Sequence, residues 1–318
     1  MNDLKNNIIA AEKRIRPYVE ETPLDYSEAL SKITHVNVYL KCDYLQHIGA
    51  FKVRGAFNKI LSLSEAQQKQ GIVAASSGNH GAAVAYALDT LKIPGVIFVP
   101  ENAAPTKIDN IHNYNIPLEL YGHDCMDAEI KAREYADQHH MIYASPYNDL
   151  DVIAGQGTIG LEIMRQLKDV DAIFVPVGGG GLISGIAAFV KSVSPKTKVI
   201  GCLPENSPAM AESVKAGKLI EMETLPTLSD ATAGNIEPGA ITFEMCQAWV
   251  DEYILVSEDE IKQAIITLIK TQHTLVEGAS GVALAALMKN TSKFEGKNVV
   301  VVLSGANISL DTLKKILD

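Results

Sequence analysis

Hydrophobic residues along the chain fall into two recurring patterns. Short runs rich in Val and Ile, bounded by turn residues, predict strands at 36–41, 71–75, 95–99, 117–121, 172–177, 198–203, 253–256 and 298–303. Several runs, NVVVVL at 298–303 above all, are apolar at every position, as strands buried on both faces are. Amphipathic stretches lie between them. In 257–270 the residues Ile261, Ile265, Leu268 and Ile269 share a helical face, and Ser257 with Glu260 makes the capping-box pattern at its start. Strand–helix–strand order, repeated along the chain, predicts an α/β fold with parallel sheets covered by helices. Functional groups are then expected in loops at the C-terminal ends of strands.

The length, 318 residues, suits two domains or one domain with a large lobe. Lys and Arg number 28 against 38 Asp and Glu, a net charge of −10, which disfavours nucleic acid and anionic membrane surfaces as partners. No apolar run is long enough to span a bilayer, and the polar first residues lack the core of a signal peptide. Cys42, Cys125, Cys202 and Cys246 are scattered and outside CxxC spacing, which fits reduced thiols in a cytoplasmic protein better than a zinc or redox site.

Three segments carry candidate chemistry. The first, at 171–202, reads strand, four glycines, helix, strand. Gly178, Gly179, Gly180 and Gly181 leave backbone N–H groups unobstructed at the positive end of a helix, which is a cradle for a phosphate. Neither a dinucleotide fingerprint nor a P-loop fits here, since Ile183, Ser184 and Ile186 occupy required positions. GQGTIG at 155–160 does match the dinucleotide spacing, but it follows no strand and reads as the start of a helix. A small cofactor with one phosphate is the remaining idea. The second segment, at 71–88, places Ser76, Ser77, Gly78, Asn79 and His80 where a helix begins, a cluster suited to a carboxylate. The third holds Lys52 between Phe51 and Val53. A lysine in apolar surroundings loses charge readily and can form a Schiff base or act as a base, although Arg54 is a nearby charge.

A Schiff-base lysine, a monophosphate cradle and a carboxylate turn together describe a pyridoxal phosphate enzyme acting on an amino acid. The motifs GAFKVRGA, SSGNHG, GQGTI, GGGGL, EPGA and SGAN occur in order over nearly the whole chain. By them the chain resembles the serine/threonine dehydratase and serine racemase family, of the two-lobed tryptophan synthase β-like fold (fold type II). The resemblance implies pyridoxal 5'-phosphate as cofactor, with Lys52 as the Schiff-base lysine and Cα base, preceded by Phe51. It implies Asn79 at the ring hydroxyl, Gly178 to Gly181 at the phosphate and Ser304 at the pyridine nitrogen. Ser76, Ser77, Gly78, Asn79 and His80 would hold the substrate, with Ser77 matching the second acid/base of racemising members. A serine, unlike an aspartate, leaves the ring nitrogen uncharged, which favours prompt loss of a β-leaving group.

The implied reaction is deamination of L-threonine or L-serine to a 2-oxo acid and ammonia, in isoleucine biosynthesis or threonine catabolism. Alternatives are an amino-acid racemase, or a dehydratase of 3-hydroxyaspartate or phenylserine. A large lobe of 1–65 and 145–318, a small mobile lobe of 66–144 and a homodimer are expected. Ala50, Ala231 and Ala306 depart from the family pattern. Leu203 and Ala209 stand at the acidic metal-ligand positions of some racemases, with Glu205 and Glu212 out of register, so no such metal site is expected. The chain ends soon after SGAN, and a C-terminal regulatory domain with its feedback inhibition is not expected.

Overall fold

The computed structural model describes residues 1–318, the side chain of Asn2 excepted. Ten strands form two sheets: β1 (Leu24–Tyr26), β2 (Asn37–Lys41), β3 (Ile72–Ala75), β4 (Gly95–Val99), β5 (Leu118–Leu120), β6 (Ile142–Tyr143), β7 (Ala172–Pro176), β8 (Lys198–Pro204), β9 (Glu252–Val256) and β10 (Asn298–Val302). The larger sheet has the order β1-β2-β10-β7-β8-β9 and the smaller β5-β4-β3-β6. Every pairing is parallel except β1 with β2.

The apolar runs have a direct structural cause. In β10, Val299 and Val301 enter one core with Phe174, Ile261, Ile265 and Leu284, while Val300 and Val302 enter another with Ile173, Ile183 and Ile186. A strand covered on both faces has no polar side to show. Helices Glu258–Gln272 and Gly278–Lys289 cover the first face, and Gly181–Val193 covers the second. The capping box of Ser257 and Glu260 is formed. In the smaller sheet, Ile72 and Ala74 pack under helices Val53–Ser62 and Asn79–Leu91. Val73 and Ala75 face Ala128, Ala132 and Ala136, a four-residue repeat along helix Cys125–Gln138.

GQGTIG does not begin a helix. Helix Leu150–Gln166 starts five residues earlier, where Asp149 caps it by accepting from the N–H groups of Asp151 and Val152. The glycines instead allow helices to touch: a Cβ on Gly157 would lie 2.9 Å from Gly185 O, and one on Gly155 2.5 Å from Arg54 O.

Candidate active site

The site forms where β3, β7 and β10 end. Residues 49–51 are stitched to 304–306, some 250 positions away: Phe51 N donates to Ser304 O (3.0 Å), Ala306 N to Gly49 O (2.9 Å), and Ala50 bridges Gly305. Lys52 therefore emerges beside Ser304. Its Nζ lies 5.3 Å from the centre of the Phe51 ring and donates to Pro146 O at 2.9 Å. Desolvation pulls its pKa down to about 8, against the opposing pull of Glu277. Arg54 does not disturb it. That guanidinium is fully buried and held by Asp43 and Glu162.

The glycine loop follows β7. Gly180, at φ 87°, caps helix Gly181–Val193 in a conformation that glycine adopts without strain. Tyr147 walls one side, where a Cβ on Gly179 would strike its ring and one on Gly181 would lie 3.0 Å from its Cα. Thr232 walls the other side, with its Cα 3.0 Å from a Cβ on Gly178. Thr242 Oγ1 holds Gly179 O at 2.7 Å. The N–H groups of Gly178, Gly179 and Gly180 have no acceptor among the described residues. Because Pro146 takes Lys52 and the adjacent Tyr147 packs on the loop, residues 146–147 join the lysine to the glycines.

The serine turn follows β3. Ser76 Oγ accepts from Gly78 N (3.1 Å), and Gly78 caps helix Asn79–Leu91. Ser76, Ser77, Gly78 and Asn79 are half-buried. His80 is buried, and its Nε2 lies 2.8 Å from Ala144 O. A carbonyl only accepts, so Nε2 carries the proton. Desolvation, and then Lys52, push this imidazole down to about pH 3, so it stays neutral. The His80 ring is thereby committed, and the backbone N–H is what this residue offers a ligand.

Asn79 Nδ2 donates to both oxygens of Glu277, at 3.1 and 3.0 Å, and Asn307 Nδ2 donates to Asn79 Oδ1 at 2.7 Å. Glu277 is 2% exposed, and its burial raises its pKa to about 7. Glu277, Tyr147, Thr232 and Asn307 are neighbours to which the motifs assign no role. Asn307 closes the SGAN motif, and Glu277 carried a weaker signal, a single acid between Val276 and a run of small residues that opens an apolar helix.

Ser304 Oγ is buried and has no hydrogen-bond partner among the described residues. An orphaned hydroxyl, a lysine of depressed pKa and a loop of unpaired N–H groups fit pyridoxal phosphate, which offers a ring nitrogen, an aldehyde and a phosphate. At the racemase metal positions, Leu203 is buried in β8 and Ala209 is buried at the start of helix Ala209–Ala216. Glu205 pairs with Lys289 and Glu212 with Lys215.

Comparison with known proteins gives a consistent picture. A family model described as pyridoxal-phosphate dependent enzyme matches residues 15–305. An L-threonine ammonia-lyase of Thermotoga maritima is 42% identical over 98% of this chain and 77% of its own length. The structure of the processed form of threonine deaminase isoform 2 from Solanum lycopersicum superposes with a TM-score of 0.94 and 34% identity, covering 99% of this chain and 92% of that one. Maize serine racemase superposes with a TM-score of 0.92 and 32% identity, covering 98% and 96%.

Proposed function

The chain belongs to the pyridoxal-phosphate dependent enzyme family, and from that premise we propose that it is an L-threonine and L-serine ammonia-lyase. The products are a 2-oxo acid and ammonia. The observation that carries this reading is the buried, unpartnered Ser304 Oγ on a chain segment whose backbone is hydrogen-bonded to Phe51, the neighbour of Lys52.

When bound, pyridoxal phosphate supplies the electron sink for charge that develops at the substrate Cα. Gly178, Gly179, Gly180 and Gly181 present N–H groups to the phosphate, and the helix behind them adds its positive end. Ser304 would meet the ring nitrogen as a neutral hydroxyl, and Asn79 would donate to the ring oxygen. Ser76, Ser77 and Gly78, with the N–H groups of Asn79 and His80, take the substrate carboxylate. Lys52 then removes the Cα proton. With its pKa drawn down to about 8, a useful fraction of the amine is neutral at physiological pH, and the resulting ammonium is stabilised by Glu277.

Residues 66–144 act as the small lobe, closing on the carboxylate and excluding water, with 1–65 and 145–318 as the large lobe. Support comes from the smaller sheet, whose four strands all lie between 72 and 143. The enzyme works as a cytoplasmic homodimer. Its four free cysteines fit a reducing compartment.

Ser77, half-buried in the carboxylate turn, and the likeness to maize serine racemase favour racemisation as a second reading, with Ser77 as the opposite acid/base. Purified enzyme incubated with L-threonine, L-serine, 3-hydroxyaspartate and phenylserine separates the readings, with Lys52→Ala as the blank. Formation of a 2-oxo acid from L-threonine at the highest rate is expected. D-serine as the main product from L-serine overturns the lyase assignment.

A further inference from the structure

Asn79 reaches the site from the helix behind β3, whereas Ser304 follows β10, and one buried acid touches the surroundings of both. Glu277 accepts from Asn79 Nδ2 with both oxygens. Its N–H donates to Gly305 O at 3.0 Å, and its side chain fills the space where a Cβ on Gly305 would stand, 2.5 Å from Oε1. Ser280, one turn into the same helix, clamps Gly305 from both sides: Ser280 Oγ donates to Gly305 O (2.8 Å), and Gly305 N lies 3.1 Å from Ser280 Oγ.

The chemistry of the donors leaves Asn79 one orientation. Asn307 Nδ2 donates to Ile48 O (2.8 Å) and to Asn79 Oδ1 (2.7 Å). Both are acceptors, so the Asn307 amide cannot be reversed, and Asn79 must turn Oδ1 toward it. A carboxylate likewise only accepts, so it selects Nδ2 of Asn79. Glu277 and Asn307 thus grip opposite ends of one amide, and because the two carboxylate oxygens lie much closer together than two amide N–H bonds point, one N–H of Nδ2 is shared between them and the other is left free. We propose that Glu277 is a positioning residue for the cofactor ring, holding Asn79 with an N–H turned to the ring oxygen while its own backbone fixes the strand end that carries Ser304. The inference rests on the assignment of Asn79 to the ring oxygen.

The charged groups acting on Glu277 are Lys52, which favours its carboxylate form, and Asp230, which opposes it. Two variants separate orientation from charge. Glu277→Gln keeps an acceptor for Asn79 and loses the charge, whereas Glu277→Ala loses both. The readouts are the absorption maximum of the holoenzyme and the dissociation constant for pyridoxal phosphate. Glu277→Ala is expected to weaken binding roughly tenfold and to move the band, with Glu277→Gln staying within roughly fivefold of wild type. Asn79→Ala should reproduce the Glu277→Ala effect, and the double variant should add nothing to it. If Glu277→Ala does not fold, Glu277→Asp, which withdraws the carboxylate from Asn79, takes its place with the same expectations. An unchanged band and affinity in Asn79→Ala would overturn the assignment of Asn79. An effect in Asn79→Ala without one in the Glu277 variants, or additive losses in the double variant, would overturn the role of Glu277.

Discussion

Lys52 and Arg54 are two residues apart, and their surroundings are opposites. Arg54 is fully buried yet saturated: Nε and Nη2 reach Asp43 at 2.9 Å each, and Nη1 and Nη2 reach Glu162 at 2.6 and 2.9 Å. Lys41, also fully buried, adds a bond to Glu162 at 2.6 Å and one to Thr22 O. Three cations, Arg54, Lys41 and the partly exposed Arg16, which reaches Glu162 at 2.6 Å, face two carboxylates, and each finds its partner inside the protein. Lys52, half-buried, has one backbone carbonyl, and the fully buried hydroxyl of Ser304, whose own carbonyl holds Phe51 N, has nothing. Burial without partners is costly, so a folded chain keeps it where a ligand completes the set. The saturated cluster holds helices Val53–Ser62 and Leu150–Gln166 to β2, and the unsaturated one awaits chemistry.

The largest effect tests the saturated side. Arg54→Met leaves Asp43 buried without its ion-pair partner and takes the guanidinium from Glu162, which keeps Lys41 and Arg16, and a loss of about 3–5 kcal/mol is expected in denaturant unfolding. The pH dependence identifies the cause. Arg54 and Lys41 overcome desolvation and hold Glu162 down at about pH 2. A depressed carboxylate stabilises the fold above its unfolded pKa, and that stability is lost as pH falls through the folded one. Wild-type stability should therefore decline between about pH 4.5 and 2, and Arg54→Met should flatten that decline. An equally steep acid limb in the variant would mean that Glu162 draws its stability elsewhere.

The same contrast explains what could be read before folding. NVVVVL announced a buried strand because each of its side chains meets a core. β6 has two residues and β1 has three with little burial, too short to leave a pattern. Four glycines in a row, a serine-rich turn and a lysine among apolar residues are local features, and the structure brings all three to one place. Glu277 differs in kind. Its meaning comes from Asn79 and Gly305, distant in sequence, and no window around Val276 contains them. The Asp149 cap shows a nearer failure, in which glycines drew attention from the residue that starts the helix.

Lys52 offers a test of intermediate size. Its ammonium is disfavoured by desolvation, so the amine should lose its proton near pH 8 rather than 10.5. Stability linked to this group is full above the unfolded value and is lost as pH falls through about 8, since charging the lysine then costs free energy. In cofactor-free protein, reductive methylation followed by peptide mass analysis should label Lys52 with a midpoint near pH 8. Lys196 and Lys218 are exposed and serve as internal controls. A Lys52 labelling profile indistinguishable from that of these exposed lysines would show that the site does not prepare the amine as a base.

Ser304→Ala should have the smallest effect, with a sign opposite to that of Arg54→Met. In the cofactor-free protein the hydroxyl is buried without a partner, and an unsatisfied polar group of this kind costs about 1–3 kcal/mol. Replacing it with a methyl group removes that cost and keeps the packing, so the cofactor-free variant should melt slightly higher than wild type. If Ser304 meets the ring nitrogen as proposed, bound pyridoxal phosphate gives the hydroxyl its partner and the order should reverse. Thermal melts of both proteins, with and without cofactor, give four numbers, and the reversal is the signature. A variant less stable in both states would place Ser304 among the saturated groups, with a protein or water partner of its own, and the contrast with Arg54 would fail at the residue that carries the functional assignment.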